Sequence, residues 1–257
     1  MGFYEDVINA ARNKSDASVK NLVLGWHSSF LSSDDGRWGI GCVPNSRKEA
    51  HLARESHTSS IINASLFQLA ELIVSPFPQE FAAATAACAA LLPFPELGFP
   101  LDKILPCARG DKVAALGYER EVVPMMRDWG WKLAIFDDLR QGPDCFPVSE
   151  FPKGAKGADW VWLTPEALRD RWLPSTADIL KTKKGCFLQG PGLPYLPESF
   201  ANLGVTHLVT PAAKRHITEQ SKDTDVENIR TYIAAGGDPW LCSEIEWRVH
   251  FTNKSIQ

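Results

Sequence analysis

The chain has no CxxC pair. Its six cysteines, Cys42, Cys88, Cys107, Cys145, Cys186 and Cys242, are scattered, and that spacing excludes a zinc ribbon or finger. Cys88 and Cys186 lie in apolar segments and read as small core residues. Reduced thiols and a cytoplasmic location are therefore expected. Polybasic runs are also missing, and 27 Lys and Arg against 31 Asp and Glu leave a net charge of −4. Nucleic acid is not an expected partner, because its binding draws on phosphate neutralisation. No apolar run approaches the roughly 20 residues that span a bilayer, so no membrane partner is expected. Met1-Gly2-Phe3-Tyr4-Glu5-Asp6 carries neither the basic region nor the apolar core of a signal peptide. The GxGxxG dinucleotide fingerprint and the GxSxG nucleophile elbow are both absent.

What is present fits a globular α/β protein. The 257 residues, 44% hydrophobic and 23% charged, are enough for two modest domains, each with its own core. Residues 3–14 have helical spacing. Asn21–Phe30 reads as a strand, Ser32-Ser33-Asp34-Asp35-Gly36 as a hairpin turn and Trp38–Val43 as the return strand. A polar connection containing His51 and His57 follows over 44–60. Ile61–Val74 reads as a buried helix ended by Pro76 and Pro78, and Glu80–Leu92 as an Ala-rich helix able to approach its neighbour's backbone closely. Pro93, Pro95, Pro100 and Pro106 mark the expected boundary, giving domains 1–105 and 106–257.

Beyond it, Lys112–Gly117, Trp131–Phe136, Asp159–Leu163, Gly185–Gln189 and Thr206–Thr210 are short apolar runs separated by helical segments, Arg120–Trp129 among them. Strands without polar alternation indicate a parallel sheet covered on both faces, so a Rossmann-like, doubly wound second domain is expected. Thr164-Pro165 and Thr210-Pro211 read as N-cap plus first helical residue. Asp225–Ala235 reads as a helix closed by Gly236-Gly237, and Trp240–Phe251 as a final strand or helix.

In such a sheet ligands bind at the carboxyl ends of the strands. The candidate ligand residues are therefore Gly117, Tyr118, Glu119, Asp137, Asp138, Thr164, Gly190, Pro191 and Gly192, with His27 reaching in from the hairpin. Asp137 stands twenty residues after Gly117, where dinucleotide folds place a ribose-binding acid. Glu119 and Glu121 would repel a pyrophosphate at that helix start, so NAD is not the expected cofactor. Thiols and imidazoles admit a divalent transition metal, although no spacing forms a recognised closed site.

The stretch Cys186-Phe187-Leu188-Gln189-Gly190-Pro191-Gly192-Leu193-Pro194-Tyr195-Leu196-Pro197-Glu198-Ser199-Phe200-Ala201-Asn202-Leu203-Gly204-Val205 resembles a segment of the heavy-metal-chelation proteins, a family of unknown function. Lys112–Gly117 is similar to the opening strand of that family's second domain, Gly25–Gly41 to its N-terminal hairpin, and the Ala-rich helix after Pro76 to the helix before its linker. The resemblance implies an enolase-N-terminal-like α+β domain joined to a Rossmann-like domain. Leu163-Thr164-Pro165-Glu166 departs from the Gly/Thr-rich turn the family has there. The expected function is binding or handling of a metal ion or a metal-chelating small molecule in a cleft between the two domains. Two alternatives stay open. One is an enzyme acting on a small metabolite, with Glu119, Asp137, Asp138, His27 or His207 as acid or base. The other is an interaction module. Self-association into a homo-oligomer is also left open.

Overall fold

The computed structural model describes residues 2–43, 64–139, 142–214 and 222–252. Phe3, Val7 and Ala11 bury one face of α1 (Phe3–Arg12). Three strands follow: β1 (Val19–Leu24), β2 (Ser28–Ser33) and β3 (Trp38–Cys42). The single strand expected over Asn21–Phe30 is thus two, because Gly25–His27 turns the chain and the Gly25 N–H donates to Ser28 O at 2.9 Å. The connection at 44–60, with His51 and His57, lies outside the described residues.

Next come α2 (Leu66–Glu71) and α3 (Pro78–Leu91). Ser65 and Gln68 form a reciprocal capping box at the start of α2. Pro78 opens α3 rather than ending its predecessor, since a first-turn position needs no N–H. The chain continues through β4 (Phe99–Pro100), α4 (Leu101–Ile104), β5 (Lys112–Leu116), α5 (Val122–Asp128), β6 (Lys132–Phe136), β7 (Cys145–Phe146), α6 (Phe151–Gly157), β8 (Trp160–Leu163), α7 (Glu166–Arg169), α8 (Trp172–Leu180), β9 (Gly185–Gln189), α9 (Pro197–Asn202), β10 (His207–Ala213), α10 (Lys222–Ala234) and β11 (Ile245–Phe251).

By contacts the chain groups into two units. The first comprises Met1–Glu96, Gly190–Tyr195 and Thr210–Trp247, the second Leu97–Gln189, Leu196–Val209 and Arg248–Gln257. This interleaved grouping differs from a single cut at residue 105, and the reason is hydrophobic packing of late segments onto early ones. In the first unit β1-β2-β3 is an antiparallel meander. Phe30 and Ile40 join Ile229 and Ile233 of α10, together with Cys242 and Ile245, in one core cluster. Gly39 and Gly41 bring the other face against α3, where a β-carbon would collide with the backbone at Ala82, Ala86 and Ala90. Ser29 Oγ donates to Ala82 O at 2.6 Å and the Cys42 N–H to Thr85 Oγ1 at 3.1 Å, which ties helix to sheet.

The large sheet has the order β4-β11-β10-β9-β8-β5-β6-β7. It is parallel from β7 through β10, while β4 pairs antiparallel with β11. The fold is therefore mixed α/β, with a three-stranded antiparallel sheet and an eight-stranded, mostly parallel one. Val113, Ala115, Val161, Phe187 and Leu208 are fully or almost fully buried, as expected for strands covered on both faces. Trp162 packs edge-on to Trp131 and beside Phe187, with ring centroids 6.0 and 5.2 Å apart.

Candidate functional site

The chain leaves β5 for β6 on one side and reaches β8 on the other, so the strand order reverses between β5 and β8. That reversal opens a crevice at the carboxyl ends. Register places Leu116 beside Phe136 and Leu163, and Leu163 beside Leu188. One residue further on, Asp137, Gly117, Thr164 and Gln189 therefore form a row along this edge of the second unit. Gly117 has φ +88°, and a β-carbon there would overlap the Thr164 side chain. The Thr164 hydroxyl donates to Leu116 O at 3.0 Å. It is not the expected N-cap. Pro165 takes that position before α7, and no side chain caps the helix, because the hydroxyl is already used across the sheet.

Asp137 does not present a free carboxylate. One oxygen accepts the Tyr118 N–H at 2.9 Å and the other the Leu139 N–H at 2.7 Å. It ties the turn after β5 to the turn after β6, a structural use of the position where a ribose-binding acid was sought. Asp138 is exposed and accepts the Val148 N–H at 3.0 Å. Tyr118 and Glu119 are half-buried just beyond Gly117, and the Glu119 carbonyl receives the N–H groups of Val122 and Val123 at the start of α5.

Gln189 is the residue that sequence reasoning passed over. It ends β9 with 1% exposure, and its amide oxygen has no hydrogen-bond partner among the described residues. A buried acceptor left unmade costs about 1–3 kcal/mol, and a donor brought to this strand end would recover that cost. The signal was visible: Gln189 is the one polar side chain in the otherwise apolar run Gly185–Leu188 that precedes it.

Gly190, Pro191 and Gly192 group with the first unit and are buried there. Gly192 has φ +82°, and a β-carbon would stand 2.5 Å from Thr85 Cβ. Tyr195 N–H donates to Leu92 O at 2.8 Å. The loop is thus packed on α3 and β3, and its glycines serve that close approach. His27 is exposed in the β1–β2 turn. His207 opens β10, at the amino end of the strand, with its ring 4.3 Å from that of Phe187 and 4.9 Å from that of Phe251. Burial holds its pKa down at about 4.

Among the described residues no group of three or more His, Cys, Asp or Glu side chains could hold an ion. Burial pushes the Cys88 thiol up to about 12 and that of Cys242 up to about 11, whereas a metal binds the thiolate. Asp137 has spent both oxygens on backbone N–H groups. The described side chains do not fit an ion held by protein donors alone.

The family profile described as "Putative heavy-metal chelation" (DUF364) matches residues 100–251. That is more than half of the chain, which belongs to this family. Two solved structures are similar over almost all of it. One is a DUF364 protein with unknown function from Pyrococcus horikoshii, with 16% identity and a TM-score of 0.69, covering 97% of this chain and 98% of that one. The other, also of unknown function, is from Desulfitobacterium hafniense DCB-2, with 16% identity, a TM-score of 0.70 and the same coverages. They share the fold. No curated protein shows a significant match.

Proposed function

We propose that the chain binds a small polar molecule, one able to carry a chelated metal, at the carboxyl ends of β5, β8 and β9. The observation that carries this reading is the buried, unpartnered amide oxygen of Gln189 beside Thr164. It calls for a hydrogen-bond donor on the ligand. Gly117 contributes a turn without a β-carbon, and Tyr118 and Glu119 stand at the open end of the row. The family description favours metal handling, while the described donors favour a metal that arrives within a small molecule over a bare ion. The order β6-β5-β8-β9-β10, parallel throughout, supports a doubly wound, Rossmann-like reading of the second unit. The meander followed by α2 and α3 supports an enolase-N-terminal-like reading of the first. A cytoplasmic location, from the unpaired cysteines, belongs to the same proposal.

The test is native mass spectrometry on protein purified without an affinity tag, with metal analysis of the same sample. A small-molecule mass that leaves on denaturation and is missing from Gln189→Leu supports the reading. A retained bare ion with no accompanying molecule overturns it, as does equal retention by the variant. Zinc or nickel added alone should leave the melting temperature unchanged.

A further inference from the structure

Parallel strands need cover on both faces, and on one face of β6, where Ala134 is only half-buried, the cover is incomplete. Register pairs Lys112 with Lys132, Ala114 with Ala134 and Leu116 with Phe136. Side chains alternate along a strand, so these six share one face. The helix beside that face, α6, has only seven residues, Gly154 and Gly157 among them. Gly154 lies directly on the Phe136 ring, where a β-carbon would overlap it. A groove of about 470 Å³ remains along α6 and the sheet.

Its apolar lining includes Ala114, Ala134, Phe136 and Phe146, and Phe146, on the edge strand β7, is 38% exposed. Its charged lining is Lys112, Lys132 and Lys153 against Glu150 alone. Asp111 also acts on Lys132 at longer range, but the hydrogen bonds of the neighbouring acids go elsewhere. Asp111 accepts from Lys184 Nζ and from Trp160 Nε1, each at 2.9 Å. Asp159 accepts the Lys112 backbone N–H at 3.0 Å and stands 3.5 Å from Lys184. Like charges directly opposite on adjacent strands are unfavourable unless something neutralises them. Lys112 and Lys132 are such a pair, at the rim of an apolar groove.

We propose that this groove binds a small organic carboxylate with a flat apolar body. The carboxylate sits between Lys112 and Lys132, with Lys153 nearby, and the body lies on Ala134 and Phe146, over the buried Ala114. The lining runs from the amino ends of β5 and β6 to Phe136 and Phe146; the lysine end that would hold the carboxylate lies at the opposite end of the strands from Gln189, so this proposal does not depend on the carboxyl-edge row.

The test is titration of the full chain with 2-naphthoate, followed by methyl NMR of alanine and leucine, with 2-naphthylmethanol as the uncharged control. Saturable shifts at Ala114 and Ala134 are expected, weakened roughly tenfold or more in Lys112→Glu/Lys132→Glu, as two lost charge contacts of about 0.7 kcal/mol each imply. Ala134→Leu fills the floor without changing charge and should weaken binding if the double variant fails to fold. Absence of shifts at Ala114 and Ala134, or equal affinity for the alcohol, overturns the proposal. Shifts confined to Leu163 and Leu188 overturn it too, because they place the anion at the carboxyl edge and leave the Gln189 reading intact.

Discussion

Acid should loosen the second unit through His207. The imidazole is 6% exposed among Phe187, Trp160 and Phe251, and burial lowers its pKa from 6.5 to about 4. The folded ring therefore stays neutral in the range where the unfolded ring takes a proton. Its contribution to stability is complete above about pH 6.5 and is lost as pH falls towards the folded value. The linkage relation gives a loss of about 1.4 kcal/mol at pH 5.5 and about 3 kcal/mol at pH 4. His250 acts in the same direction, held down to about 4 by burial and by the adjacent Arg248. Such a loss is a large share of the ~5–15 kcal/mol of a typical domain. Urea unfolding of the native chain and of His207→Phe, at pH 7.5, 5.5 and 4, isolates the effect, because phenylalanine keeps an aromatic ring in the cluster without the titration. The variant should lose about 3 kcal/mol less than the native chain between pH 7.5 and 4. Parallel pH profiles would refute the reasoning.

Other substitutions test the assignment of structural roles. Gly192→Ala should destabilise by about 2 kcal/mol or more in urea unfolding, since it combines a positive φ with collision against Thr85. Near-native stability would mean the loop is not packed as described. Asp137→Ala removes the acceptor for the Tyr118 and Leu139 N–H groups and should cost about 2 kcal/mol, with faster amide exchange at both positions; unchanged exchange would contradict the tie. Cys88 and Cys186, buried with raised pKa values, should resist alkylation at pH 7.5 until the chain unfolds, as read by mass spectrometry.

The parallel strands were legible in the sequence because burial on both faces leaves an uninterrupted apolar run, as in Gly185–Gln189 and Lys112–Leu116. The Asp34-Asp35-Gly36 turn was legible from its Asp-Gly pair, and Gly36 takes the positive φ that pair favours. The break at Gly25–His27 was not, since the residues around it lack a clean alternation that a turn would disrupt. Thr210-Pro211 looks like a helix start but lies inside β10; the pairing with β9 ends at Val209, so a proline two residues later loses no bond to that strand. The candidate site divided along physical lines. Gly117 and Thr164 stand together at the reversal of strand order, which chain order alone suggests. Gly190-Pro191-Gly192 carries the same local signal as a ligand turn, yet the surface it approaches is Thr85 and Gly41 of its own unit. A glycine reports that something comes close, and only the tertiary structure says what. Gln189 was readable as a polar end to an apolar strand, but its unpartnered oxygen depends on neighbours far away in sequence.

The most direct measurement of the central claim pairs stability with ligand retention in Gln189→Leu. Removing an unpartnered buried acceptor should leave the unfolding free energy unchanged or raise it by about 1–2 kcal/mol, while the small molecule seen by native mass spectrometry disappears. A variant that is destabilised and still retains the molecule as the native chain does would show that Gln189 is structural and that the ligand lies elsewhere.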